Sequence, residues 1–135
     1  MKAKATYKVE KWKEDIVQQI SPDMKITKAS VVYALTGEIT GKASVEYIMF
    51  YKHFDSKDPH QSLAEYVGLM NLEGELAGKS GSLSLEDIGT FEGGTAVSSL
   101  RIIEGSGTGE LKGIKGSGAY RADQKSLHFE LDYDL

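Results

Sequence analysis

Cysteine is absent from this 135-residue chain, so neither a disulfide framework nor a thiolate zinc site can form, and nothing points to an oxidising compartment. A cytoplasmic protein is the expectation. Only two prolines are present, no apolar run approaches the length of a membrane span, and the opening stretch Met1 to Glu10 lacks the apolar segment of a signal peptide. The mature chain is therefore expected to begin near Met1 and to have no membrane partner. Basic residues are outnumbered: sixteen Lys and Arg against twenty Asp and Glu leave a net charge of −4, the wrong sign for a binder of phosphate backbones. Lys2, Lys4, Lys8, Lys11 and Lys13 do crowd the start, but their spacing, largely at every second residue, is that of a strand's solvated face. Nucleic acid is not an expected partner.

What is abundant is glycine, with fifteen residues recurring between short runs of alternating apolar and polar side chains. That pattern predicts many strands joined by tight turns, and the length suits a single domain over residues 1–135. Alternation is clearest at the ends, where Ala3, Ala5, Tyr7 and Val9 share one face and Leu127, Phe129, Leu131, Tyr133 and Leu135 share another. The opposite faces carry Lys2, Lys4 and Lys8 at the start and Glu130, Asp132 and Asp134 at the end, complementary if the terminal strands lie side by side. Such a meander closes on itself and leaves no open edge, so the fold class read here is all-β, a single antiparallel barrel of eight strands.

An internal repeat supports the strand count. Gly37-Glu38-Ile39-Thr40-Gly41, Gly74-Glu75-Leu76-Ala77-Gly78 and Gly109-Glu110-Leu111-Lys112-Gly113 share the pattern Gly-Glu-apolar-x-Gly. Each copy reads as a turn whose glycines supply positive φ or close backbone approach, with the apolar residue tucked into the barrel end. The strands are then expected near residues 3–12, 25–37, 42–53, 64–74, 79–88, 95–104, 108–121 and 126–134. Glu10 to Ile20 places Trp12, Ile16 and Ile20 at helical spacing before Ser21-Pro22, so it reads either as a helix or as the end of the first strand followed by a loop across a barrel mouth. Phe54 to Gln61 reads as an exposed hairpin loop.

Few constellations carry chemistry. Gly105-Ser106-Gly107-Thr108-Gly109-Glu110 has the glycines of a phosphate cradle but no Gly-Lys-Ser/Thr opening a helix and no βαβ context, so it reads as a turn or bulge and no cofactor is expected. His53, Asp55, Asp58 and His60 are four metal-ligand types within eight residues, at a spacing that fits no metal motif, so no metal is expected. There is no Gly-x-Ser-x-Gly elbow, and His128, between Leu127 and Phe129, falls on the solvated face of its strand. The candidate pocket residues are Glu46, Tyr66, Arg101 and Tyr120. A charged side chain pointing into a barrel must be paired or shifted in pKa, the environment of a general acid or base. Glu46 shares its face with Ile48 and Phe50 and is the better inward candidate, whereas the inward leucines Leu83 and Leu85 put Glu86 outside.

Tyr66-Val67-Gly68-Leu69, the segment Gly74 to Leu83, Gly89-Thr90-Phe91 and the run Gly105 to Gly113, with Trp12-Lys13-Glu14 near the start and Leu131-Asp132-Tyr133 at the end, together resemble the DUF3224 family of uncharacterised bacterial proteins. The resemblance covers essentially the whole chain. It implies a barrel similar to the allene oxide cyclase-like fold and carries no catalytic residue over. Many members of the family pattern have His where this chain has Asp87, so no catalytic or ligand-binding His is expected there. Three roles follow. The first is a binding barrel for a small, mainly apolar molecule, because eight strands enclose an interior wide enough to be filled or to hold one ligand. Small inward residues, Ala3, Ala5, Gly68, Gly116 and Gly118, would leave the room. The second is a cyclase or isomerase-like enzyme using a buried carboxylate or tyrosine, Glu46, Tyr66 or Tyr120. The third is a homo-oligomer joined through apolar residues of exposed parity, Val31, Tyr33, Val97 and Ile103.

Overall fold

Burial at every second residue along eight strands wraps one antiparallel sheet into a closed ring. The computed structural model describes residues 1–123 and 126–135. The strands are β1 (Lys2–Gln19), β2 (Lys25–Gly37), β3 (Ile39–His53), β4 (Leu63–Leu76), β5 (Lys79–Glu92), β6 (Thr95–Ile102), β7 (Lys115–Ala122) and β8 (Leu127–Asp134). Each pairs with the next, and β8 returns to β1, making the expected eight-stranded barrel. Among the described residues the only helical pieces are two short 3-10 turns, Pro59–Gln61 and Gly109–Leu111, and no helix is long and apolar enough to cross a membrane.

The terminal charges meet as complementarity suggests: Lys2 lies opposite Asp132 and Lys4 opposite Glu130. The register then brings Thr6 to His128, so Lys8 falls beyond the reach of β8. The three Gly-Glu-apolar turns all lie at one end of the ring, and each sends its apolar residue, Ile39, Leu76 or Leu111, into the core. Their glutamates tie strands together: Glu38 Oε1 accepts from the Lys4 amide and Glu110 Oε1 from the Ser80 amide, both at 3.0 Å. Close approach explains the glycines between β3 and β4, since a Cβ on Gly41 would stand 2.1 Å from the Glu73 carbonyl oxygen.

Two expectations change. Glu10 to Ile20 is neither helix nor loop; β1 continues as strand to Gln19 because β2 offers a partner as far as Lys25. The i, i+4 spacing of Trp12 and Ile16 also fits a strand, where residues four apart share a face. Bulges between Val9 and Lys11 and between Ile16 and Gln18 adjust the register. The seventh strand begins at Lys115, not near 108, because positive φ at Gly105, Gly109 and Gly113 breaks extended chain there and buries Leu111 over the barrel end.

Candidate functional site

The interior has two halves. At the turn-covered end Leu35, Ile39, Leu72, Leu76, Leu83 and Leu85 are buried together with Ile102, Leu111 and Ile114. Towards the other end the inward positions become Tyr7, Tyr33, Tyr47, Tyr66 and Tyr120, with Asp87 and Ser98 between them. An open chamber of about 240 Å³ lies there, its walls including Tyr7, Tyr33, Tyr47, Tyr66, Tyr120, Met49 and Phe91. Trp12, His60 and Leu127 stand around its mouth, and none of the walls is Lys or Arg. The chamber is slightly below the usual range of small-molecule sites, roughly 300–1,000 Å³. An adjoining lobe of about 260 Å³ at the mouth shares Trp12, Met49, His60 and Phe91 with it.

Glycines on the neighbouring strands β4 and β5 make this arrangement possible. Tyr47 on β3, Gly68 on β4 and Asp87 on β5 lie in one row, and a Cβ on Gly68 would be 2.6 Å from Tyr47 Cδ1. The Tyr47 ring therefore lies across Gly68, and its hydroxyl donates to Asp87 Oδ2 at 2.9 Å. The same device recurs one row along, where Tyr66 on β4 reaches over Gly89 on β5 to Ser98 on β6, the two hydroxyls 2.5 Å apart. A Cβ on Gly89 would meet the Tyr66 hydroxyl at 2.5 Å. The hydroxyls of Tyr47 and Tyr120 are 2.7 Å apart, Tyr33 lies 3.2 Å from Tyr47, and Tyr120 reaches Tyr66 at 3.4 Å. A continuous hydroxyl network thus runs from Ser98 to Asp87.

Asp87 is fully buried, and its Oδ1 has no hydrogen-bond partner. Burial pushes its carboxyl above the usual carboxylate range, and the hydroxyls of Ser98, Tyr47 and Tyr120 only partly offset this. Burial likewise raises the five tyrosines, Tyr33 to about 12. They remain neutral hydroxyls, able both to donate and to accept. Asp87 lies behind them and not on the chamber wall. Tyr7 is different: it lines the chamber, and its buried hydroxyl has no partner.

Of the four residues proposed from sequence, Tyr66 and Tyr120 are inside and joined by the network. Glu46 is not; it is exposed on the outer face of β3, where Ser30 Oγ donates to it at 2.5 Å. β3 carries apolar residues on both faces, Ile48 and Phe50 outside against Val45, Tyr47 and Met49 inside, so apolar content could not settle its orientation. Arg101 is also outside, 3.1 Å from Glu86. Val31 and Tyr33, expected at exposed parity, are buried, because β2 too is apolar on both faces around Val32 and Ala34. Missed by the sequence reading were Tyr7, Tyr47 and Asp87 as site residues. The parity of Leu83 and Leu85 that put Glu86 outside also puts Asp87 inside, and was the signal for it.

The loop after β3 does not gather its metal-ligand types. His53 Nδ1 is 3.0 Å from Asp23, Asp55 accepts from the Lys57 and Asp58 amides, and Asp58 caps the 3-10 turn through the His60 amide. Among the described residues no group of three or more His, Asp or Glu is placed to hold a metal ion.

The family model described as a protein of unknown function, DUF3224, matches residues 3–133. The chain belongs to this family. A solved DUF3224 protein of unknown function from Shewanella oneidensis MR-1 is similar over 100% of this chain and 96% of its own, with 20% identity and a TM-score of 0.81. At that identity the likeness is one of fold. No curated protein matches the sequence. The DUF3224 barrel of this chain therefore has its architecture in common with a relative, while the reading of its chamber rests on the chamber itself.

Proposed function

We propose that this DUF3224 barrel binds a small, mainly apolar molecule in the open half of its interior. The observation that carries the reading is the open chamber of about 240 Å³ itself, walled mainly by tyrosine rings, Met49 and Phe91. The hydroxyls of Tyr33, Tyr47, Tyr66 and Tyr120 are already engaged with one another, so a ligand is held chiefly by the apolar area it buries against the rings. The absence of Lys and Arg from the walls disfavours anions. Acetophenone, which has a carbonyl and an apolar ring, is a direct probe for NMR titration. We expect saturable binding, weakened at least about fivefold in Ala122→Leu, whose larger side chain takes up room in the chamber. No binding at millimolar concentrations would remove the proposal. A cytoplasmic location is in keeping with the cysteine-free composition.

A cyclase or isomerase-like activity, the role the allene oxide cyclase-like comparison suggests, is favoured by one observation. A carboxyl held up in pKa is linked through Tyr47 and Tyr120 to the chamber wall, which is how a buried acid supplies a proton without touching the ligand. In this reading Asp87 takes the place first given to Glu46. Asp87→Asn that still binds ligand but loses turnover would support it, and unchanged turnover would exclude Asp87.

Self-association is proposed through a different face from the one read in sequence. Ile48, Val67 and Ile88 pair in one row across the outside of β3, β4 and β5, beside exposed Phe50, Leu69 and Val97. Antiparallel sheets ordinarily present polar side chains to water. The rim carries both signs, Lys52 with Glu65 and Arg101 with Glu86, so a two-fold axis can set acid against base in a second copy. Sedimentation velocity should show a dimer that Val67→Glu dissociates; a wild-type monomer would end this proposal.

A further inference from the structure

The lobe at the chamber mouth has a character of its own. Trp12, Tyr51, Phe54 and Phe91 wall it, and the carboxylate of Glu14 sits among them. Three donors hold that carboxylate: Thr27 Oγ1 at 2.6 Å and the Tyr51 hydroxyl at 2.8 Å on Oε2, and Trp12 Nε1 at 3.1 Å on Oε1. Two of the three belong to the walls, so the rings and the carboxylate form one fixed unit. None of the ion pairs among the described residues involves Glu14.

Each class of occupant meets different chemistry there. An anion would be repelled by Glu14. A neutral apolar group would desolvate the carboxylate and return nothing. A metal ion would find the imidazole of His60 and one carboxylate already holding three donors, where it needs several free oxygen or nitrogen ligands. An organic ammonium suits both elements, since the π faces and the carboxylate attract the same charge and its alkyl groups fit apolar walls. Lys25 Nζ already lies 3.4 Å from the centroid of Phe54 and 5.3 Å from that of Tyr51, although Lys25 does not line the lobe, so an incoming ammonium seats against the ring faces that Lys25 leaves, beside Glu14.

We infer that this lobe, built on Trp12, Glu14, Tyr51, Phe54 and Phe91, binds the ammonium group of an organic cation. The inference rests on the ligand-binding reading and deepens it: the ligand class becomes an apolar amine whose body enters the adjoining chamber.

The test compares choline with its uncharged isostere 3,3-dimethylbutan-1-ol at one fixed pH. Trp12 is the only tryptophan, so a single indole N–H signal in a proton–nitrogen NMR spectrum reports on the lobe. Choline is expected to move that signal and to bind at least tenfold more tightly than the isostere. Glu14→Gln should cut this preference below threefold, and Phe54→Leu, which leaves the Glu14 hydrogen bonds in place, should weaken choline several-fold. Equal binding of the two probes, or a preference unchanged in both variants, overturns the inference. Acetophenone in the same protein separates the two levels. Acetophenone binding with no choline preference leaves the chamber reading standing and removes this one. Choline preference without acetophenone binding removes the chamber reading and confines the site to the mouth.

Discussion

At the covered end of the barrel the inward positions of β4 and β5 are Leu72, Leu83 and Leu85; towards the open end of the same strands they include Tyr66 and Asp87. The backbone geometry is the same, but the contents differ. Aliphatic side chains have no directional needs and fill space at close to crystal density, whereas five hydroxyls and a carboxyl must be satisfied one by one. The covered end is fully packed, and the open end leaves a chamber and two buried polar atoms, Tyr7 Oη and Asp87 Oδ1, without partners. Stability alone would not maintain the second arrangement, because apolar residues of similar volume would cost less there. The difference teaches that one end of the barrel is a foundation and the other a site.

Substitutions should separate the two. Leu85→Ala at the foundation should lower unfolding free energy by about 3 kcal/mol, read by urea denaturation, without changing the hydroxyl network. A loss under 1 kcal/mol would mean that this end is not tightly packed. Gly68→Ala strikes the boundary between the regions, because the added methyl meets both the Tyr47 ring and the Glu46 carbonyl oxygen. It should cost about 2 kcal/mol and displace Tyr47 from Asp87, seen as altered tyrosine signals by NMR; a silent substitution would show that Tyr47 does not depend on the gap.

Asp87 gives a pH test. The folded chain keeps a proton that the unfolded chain releases near the ordinary value of 3.8, since burial raises the folded value. Stability from this group is therefore complete below 3.8 and is lost as pH rises through the folded value. Asp87→Asn cannot lose that proton. It should be more stable than the parent by about 1 kcal/mol at neutral pH, with the gap closing towards pH 4. Thermal unfolding at several pH values measures this, and a gap independent of pH would mean that Asp87 does not titrate in this window. A gain of at most about 1 kcal/mol, independent of pH, is expected for Tyr7→Phe, because the hydroxyl it removes is buried without a protein partner. A loss of stability would show that Tyr7 belongs to the foundation.

The glycine repeat was legible because its chemistry is local: each Gly-Glu-apolar unit makes its own turn and buries its own Ile39, Leu76 or Leu111. The closure was legible because Lys2 and Lys4 complement Glu130 and Asp132 across a contact between the two ends of the chain. Orientation failed where both faces of a strand are apolar. On β3 and β2 the sequence offers Ile48 and Phe50 against Tyr47 and Met49, and Val32 against Val31 and Tyr33, and a shift of one residue exchanges inside for outside. The continuation of β1 past Trp12 was hidden for another reason, since spacing by four fits a helix and a strand alike.

What the sequence by itself determined, then, is the number of strands, their antiparallel order and the turns, which follow from short-range pattern and composition, while its glycine motifs carried the resemblance to the family. Only the tertiary structure decided which face of β2 and β3 is interior, and that Tyr47 crosses Gly68 to meet Asp87 while Glu14 is held between Trp12 and Tyr51. Apart from that between Trp12 and Glu14, two residues apart on β1, those contacts join residues far apart in the chain, and their geometry is set by strand register and by the room a missing side chain leaves, quantities that exist only once the barrel has closed.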